Sequence, residues 1–458
     1  MKLRSITTVL SLFVVFAAID ASRADVRLPS VLDSHMVIQR DAPVRIWGWA
    51  DAGEKVSVTL GEETQVATTD DDGRWLVTMK SQEADGAPRQ IKVTGKNEIT
   101  LTDVLVGEVW IGSGQSNMEW QLTNTHGAKE AIAAAAHPNI RLFHVPKTQA
   151  KQQAEDVKAN WKVCSPENVP AFSAVLYFFG KRLHEDLKVP VGLINSSWGG
   201  SPIEPWTIKG ESSGGMYNGM IAPLTNVAAK GAIWYQGETN VLQKNGLKYA
   251  GKMKDLIEGW RTSFQNPNLA FYFVQIAPWS GRYEPGQLPA LWEAQAASLK
   301  IPRTGMAVIT DLVDNIGDIH PRNKLDVGIR LSLWALARSY GRRDLVYSGP
   351  LYSGMTVEGD KVRLKFAHVG GGLKTSDNKS PTEFQIADAS GKFVDAIAEI
   401  DGKTIVVHND AIAQPTHVRF AWHKIAQPNL INSAGLPASP FQTNNWQGGT
   451  GVHEQVRK

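Results

Sequence analysis

Asp103-Val104-Leu105-Val106-Gly107-Glu108-Val109-Trp110-Ile111-Gly112-Ser113-Gly114-Gln115-Ser116-Asn117-Met118 is the stretch on which the reading of this chain turns. Residues Asp103 to Ile111 are rich in branched apolar side chains and read as a buried strand. A glycine-flanked polar segment, Gly114 to Met118, follows at once. In open α/β sheets, reactive and ligand-binding groups gather at the carboxyl ends of strands. A serine at that point, beside a glycine that permits a tight turn, is well placed to act as a nucleophile. It is not the G-x-S-x-G elbow, because Met118 stands where the second glycine belongs. A serine after a strand is also a common helix cap or turn residue, so the segment alone does not decide its role.

Downstream of this stretch, apolar strands alternate with amphipathic helices. Ser173 is placed to cap a helix carrying Leu176, Phe179, Leu183 and Leu187 on one face and ending before Pro190. Val191 to Ser196 is the next strand and Gly231 to Gln236 the one after. A helix with Tyr249, Met253, Leu256, Trp260 and Phe264 comes next, then a strand from Leu269 to Ile276. A helix around Leu291 to Leu299, a strand from Met306 to Thr310 and a helix opened by Pro321 complete the run. Alternation of this kind predicts an α/β fold, a parallel sheet with helices on both faces, over 106–340. Upstream, 25–105 reads as a small β-sandwich, with strands at Val44 to Ala50 and Val56 to Leu60 and turns at Asp51-Ala52-Gly53 and Asp71-Asp72-Gly73. After Gly341 the helices stop. Lys361 to Phe366, Thr404 to Val407 and Val418 to Trp422 predict a C-terminal β-rich domain or extension over 341–458.

Residues 1–24 read as a secretory signal. Lys2 and Arg4 are basic, Ile6 to Ala18 is nearly all apolar, and Ser22-Arg23-Ala24 offers small residues for cleavage. The expected location is secreted or periplasmic, with no membrane insertion after cleavage, since no later stretch approaches the ~18 apolar residues of a spanning helix. The 458 residues are 42% apolar and 20% charged with a formal net charge of +3, which, without a dense Lys/Arg run, gives no support for a nucleic-acid partner. One cysteine, Cys164, excludes an internal disulfide and cysteine-rich zinc sites, and reads as a buried small apolar residue. No zinc motif or phosphate-binding loop is present, so neither metal nor organic cofactor is expected.

Three further features surround Ser116. Asp318-Ile319-His320-Pro321 follows a strand. A serine hydroxyl needs a base to become a nucleophile, and an imidazole suits that work. On the reading that Pro321 opens a helix, His320 sits at a helix N-terminus, where partial positive charge favours neutral imidazole. Between serine and histidine lie two strand-end segments, Asn195-Ser196-Ser197-Trp198-Gly199-Gly200 and Trp234-Tyr235-Gln236-Gly237-Glu238-Thr239-Asn240. A tetrahedral intermediate needs fixed donors for its oxyanion, and backbone N–H groups of a Gly-Gly turn or a side-chain amide can supply them. Each segment alone could equally be a turn that closes the sheet.

These blocks resemble those of the SGNH hydrolases, specifically the sialate O-acetylesterase-like branch. The likeness runs over Leu32 to Arg40, Val104 to Trp120, Cys164 to Trp206, Tyr217 to Leu224, Trp234 to Asn240 and His320 to Gly328, and is most specific over Gly112 to Trp120. It implies a flavodoxin-like three-layer catalytic domain with flanking all-β domains. It implies a serine esterase that removes acetyl groups from a sugar, O-acetyl sialic acid first, acetylxylan or another polysaccharide second. Ser116 is then the nucleophile and a first oxyanion donor through its N–H. Gly199 and Gly200 supply a second donor, Gln236 a third, and His320 is the base. Many SGNH enzymes carry an aspartate three residues before the histidine. Here that position is Gly317, so Asp318 is the expected orienting acid, with Asp311, Asp314 or a backbone carbonyl as alternatives. Gln115, Asn117, Glu238, Asn240 and Trp206 are the expected substrate contacts. Trp120, Trp198 and Trp279 could also stack on a sugar or pack in the core. A glycan-binding protein without catalysis is the rival of another class.

Overall fold

The computed structural model describes residues 25–452, so the expected leader at 1–24 lies outside the described residues. The long strand β1 (Glu98–Gly114) runs through two parts of the molecule. Its first half pairs antiparallel with Arg89–Thr94 of the N-terminal β domain. Its second half lies in a sheet with β2 (His137–His144), β3 (Trp161–Cys164), β4 (Val191–Ser197), β5 (Gly231–Tyr235), β6 (Ala270–Gln275) and β7 (Thr304–Val308). The order is β7-β6-β5-β1-β4-β2-β3, all parallel except the edge strand β3. The chain leaves β1 toward one edge and later crosses to its other side, so the topological switch lies at the end of β1, between β4 and β5.

Besides a short helix at Ala128–Ala133, the α-helices are α1 (Ser116–Glu119), α2 (Ala174–Leu187), α3 (Glu238–Leu242), α4 (Tyr249–Ser263), α5 (Gln287–Ala297) and α6 (Lys324–Arg338). Ser173 caps α2 as expected, its Oγ accepting from Leu176 N at 3.2 Å. Two glycines let α2 lie tight against its neighbours. A Cβ on Gly112 would stand 2.7 Å from Leu176, and one on Gly328 would stand 2.8 Å from Val175 O and Phe179 N. Trp110 packs on Phe179 and Tyr272 on the face covered by α2 and α6. Trp234 meets Trp206, Trp260 and Phe271 on the opposite face, under α4. Cys164 is buried, which pushes its thiol up to about 12 and leaves it a packing residue.

Two sequence expectations need correction. Pro321 does not open the last helix. Regular helix begins at Lys324, with Asn323 as the cap accepting from Asp326 N. His320 therefore lies in an irregular loop, four residues before the first helical one, and not at a helix N-terminus. Strands β2 and β3 were not foreseen, because His137-Pro138 and the short β3 break the apolar pattern.

The C-terminal region forms two four-stranded antiparallel sheets, built on Lys361–Ala367 with Thr404–His408 and on Phe384–Ala387 with His417–Phe420. It is bonded to the α/β part through buried and half-buried polar contacts. Gln275 Nε2 donates to Ser439 Oγ at 3.0 Å and Gln442 Nε2 donates to Glu293 Oε2 at 3.0 Å. Among the described residues, no helix is long and apolar enough to cross a membrane.

The Gly328 contact gives a direct test. Gly328→Ala puts a methyl group against backbone that cannot step aside, and should destabilise the protein by about 1–3 kcal/mol despite alanine's better helix propensity. Urea denaturation of wild type and variant measures the difference.

Candidate active site

The register of the sheet sets three strand ends level with one another. Gly114 faces Ser197 on one side and Tyr235 on the other. Gly114 adopts φ +134°, and a Cβ there would stand 2.2 Å from Tyr235 O. Only glycine lets the chain turn so tightly against β5. Gln115 N donates to Tyr235 O at 3.0 Å, and Ser116 begins α1. As the first residue of that helix, Ser116 keeps its N–H outside the helix's own hydrogen bonding.

His320 Nε2 lies 2.9 Å from Ser116 Oγ. This is the contact a nucleophile–base pair requires. The imidazole stacks on Trp120, with centroids 4.9 Å apart and planes at 23°. Asp318 Oδ1 accepts from His320 N at 2.9 Å and lies 3.4 Å from Nδ1. Asp311 is held by Arg330, and Asp314 faces His126 and Arg322. Of the three candidate acids, only Asp318 stands beside the ring. Burial and the neighbouring Lys324 ammonium push the His320 pKa down, and Asp318 opposes them. The imidazole is thus neutral, and able to accept a proton, at neutral pH.

Gly199 lies against the nucleophile: a Cβ on it would be 3.3 Å from Ser116 Cβ. Its N–H donates to Glu119 Oε2 at 2.5 Å, and the other carboxylate oxygen of Glu119 pairs with Lys147 at 2.5 Å. Gly200 follows, exposed and with φ +77°. Gln236 is fully buried. Its Nε2 faces Asn240 Oδ1 at 2.7 Å, Gln115 Oε1 at 3.1 Å and Ser201 O at 3.2 Å, and its Oε1 accepts from Tyr249 at 2.7 Å. With two N–H bonds facing three protein acceptors, this amide has no donor left for an oxyanion in this arrangement. It braces Gln115 and Asn240 instead.

Residues 106–332 match the family model of the carbohydrate esterases described as sialic acid-specific acetylesterase. The chain is 31% identical to the sialate O-acetylesterase of Pongo abelii, over 91% of this chain and 92% of that protein. It is 30% identical to the human sialate O-acetylesterase, over 94% and 95%. The crystal structure of a carbohydrate acetylesterase from Xanthomonas citri superposes with a TM-score of 0.89 at 37% identity, covering 92% of this chain and all of that one. The chain belongs to the sialate O-acetylesterase family. It is a carbohydrate O-acetylesterase with an SGNH-type catalytic domain and flanking all-β sheets.

Within this esterase the expected substrate contacts divide. Trp206 is fully buried, its indole N–H donating to Ser201 Oγ and its ring edge-on to Trp234, so it offers no face to a sugar. Asn240 is buried too, accepting from Ile203 N and donating to Glu204. Asn117 and Glu238 bond each other at 2.6 Å below the reactive pair. Gln115 Oε1 accepts from Gln236, Gly237 and Thr239. These polar residues are the frame of the site. The partly exposed rings are Trp120, Trp198 and Trp279. Sequence reasoning missed Glu119, although it lies inside the serine block, and Lys324. Nothing marks a lysine four residues past a histidine as buried, since lysine at a helix start is ordinarily solvated.

The geometry fixes the sign of a pH effect. The base must be neutral, so the acid limb of kcat/KM should fall below the ordinary histidine value of about 6.5. Asp318→Asn should move that limb lower still, because the carboxylate that raises the imidazole pKa is gone. A pH–rate profile on a soluble acetyl ester checks both; a limb that stays put in the variant would detach Asp318 from the histidine.

Proposed function

We propose that this esterase hydrolyses O-acetyl sialic acid through an acyl-enzyme on Ser116. The observation that carries the mechanism is the 2.9 Å contact between Ser116 Oγ and His320 Nε2. In this reading His320 takes the hydroxyl proton as Oγ attacks the acetyl carbonyl. Asp318 steadies the imidazolium. The sugar hydroxyl leaves with the proton from His320, and water repeats the sequence to release acetate. The Ser116 N–H is the first oxyanion donor. Gly199 becomes the second when the Glu119 carboxylate turns away from its N–H and lets the substrate oxygen in. Each such donor is worth about 3 kcal/mol in the transition state. Trp120, Trp198 and Trp279 are the rings available to a sugar face.

The names of the family model and of the mammalian relatives support sialic acid as the sugar. An acetylated polysaccharide such as acetylxylan is the second reading, since the Xanthomonas citri relative is named only as a carbohydrate acetylesterase and its match does not choose the sugar. Acetate release from O-acetylated sialosides and from acetylated xylan, by wild type and Ser116→Ala, separates them. Wild type should act on one class, and the variant should lose about four or more orders of magnitude in kcat. Equal background release from both proteins on every substrate would leave glycan binding as the better account.

Export to a secreted or periplasmic location accords with the leader read over 1–24. Cleavage after Ala24 leaves Asp25 as the first residue, which N-terminal sequencing of the exported protein reads directly.

A further inference from the structure

Asn117, the residue after the nucleophile, is buried and hydrogen-bonded on both sides of its amide. Its Nδ2 donates to Glu238 Oε1 at 2.6 Å and to Ile319 O at 3.1 Å. Its Oδ1 accepts from Lys324 Nζ at 2.5 Å. Ile319 precedes the base, so this one amide joins the turn of Ser116 to the loop of His320. Lys324 is fully buried, which is rare for a lysine. Its ammonium lies 5.2 Å from the Tyr235 ring centroid and 5.6 Å from that of Trp120, the ring stacked on His320. A cation on one side and a carboxylate on the other allow the amide a single orientation, oxygen toward lysine and NH2 toward Glu238 and Ile319.

We propose that Lys324 is a positioning residue for hydrolysis: its buried ammonium locks Asn117, and Asn117 holds nucleophile and base in register. The proposal rests on Ser116 as nucleophile and His320 as base. Lys324 acts through Asn117 and through its charge, not on the substrate. The charge has a second effect, since it adds to burial in opposing imidazolium formation at His320. The groups facing the ammonium are Glu238 from α3, Asp314, Asp318 and His320 from the preceding loop, and the rings of Trp120 and Tyr235. Burial draws the Lys324 pKa down to about 7, against the upward pull of Glu238, Asp318 and Asp314. Glu238 is itself pushed up by burial, and its Oε2 meets no donor among the described residues. The lock is therefore charged only over a limited pH range.

Lys324→Met keeps an unbranched side chain one atom shorter and removes the charge. Its kcat on a soluble acetyl ester should fall by about 10- to 100-fold with KM nearly unchanged, as expected for a small displacement of reacting groups. Two further readouts would not follow from a merely structural role. The alkaline limb of the wild-type profile should vanish, and the His320 pKa, followed by NMR of labelled histidine, should rise. Wild-type kcat in Lys324→Met, or an unmoved His320 titration, overturns the proposal. The titration needs no turnover. If wild type and Ser116→Ala are equally inactive the esterase reading fails, while the His320 shift still tests the lysine. Should Lys324→Met not fold, Glu238→Gln serves. Losing the carboxylate that raises the lysine pKa should move the alkaline limb to lower pH, and an unshifted limb counts against the proposal.

Discussion

The register of β1 between β4 and β5 is the constraint on which the site depends. Because Gly114 lies level with Ser197 and Tyr235, three chains leave the sheet at one height, and their first polar residues meet without long loops. The hydrogen bond from Gln115 N to Tyr235 O and that from Trp198 N to Gly114 O close this junction. A slip of one residue in either pairing would turn every side chain of the slipped strand to the other face. Burial guards against that slip: Trp110 and Trp234 sit on opposite faces, each against a wall of aromatic side chains.

Polar residues below the reactive pair do a job that apolar packing could not. Gln115, Asn117, Gln236, Glu238 and Asn240 are all buried and hydrogen-bonded to one another or to the backbone. A buried polar group must find its partners or lose its desolvation free energy unrepaid, so each satisfied bond disfavours any other arrangement of the three strand ends. Hydrocarbon side chains of similar volume would fill the space but would tolerate sliding. Orientation to a fraction of an ångström is what a serine and a histidine need from their surroundings.

Much of this was legible in the sequence, and the reasons are local. Gly114 and Ser116 stand directly after a strong apolar strand, and the Ser173 cap and the α2 stripe are set by periodicity. What escaped was set by distant contacts. Trp206 and Trp120 are alike in sequence, near motif blocks and aromatic, yet one is sealed under α4 and the other stacks on the base. Gln236 carries an amide that could serve an oxyanion, and only the positions of Asn240, Ser201 and Tyr249 show it to be engaged. The domain division read near residue 105 falls within β1, because one strand serves two sheets and composition changes where hydrogen bonding does not.

The base lies in an irregular segment between β7 and α6, and much of its order comes from outside that segment. Five backbone carbonyls there accept from four other stretches of chain: Val313 from Gln427 of the C-terminal region, Ile316 from Ser280 N, Gly317 from the Trp279 indole, Ile319 from Asn117, and Arg322 from Thr125 and His126. Trp279 is itself fixed by Lys424 of the C-terminal region, whose carbonyl accepts from Trp279 N and whose ammonium donates to Gly281 O and Tyr283 O. A helix beginning at Pro321 would have engaged the Arg322 carbonyl in place of its bonds from Thr125 and His126. By starting the helix at Lys324, the chain leaves the histidine on a segment that its neighbours can place, and the C-terminal β region, remote in sequence from Ser116, becomes one of those neighbours.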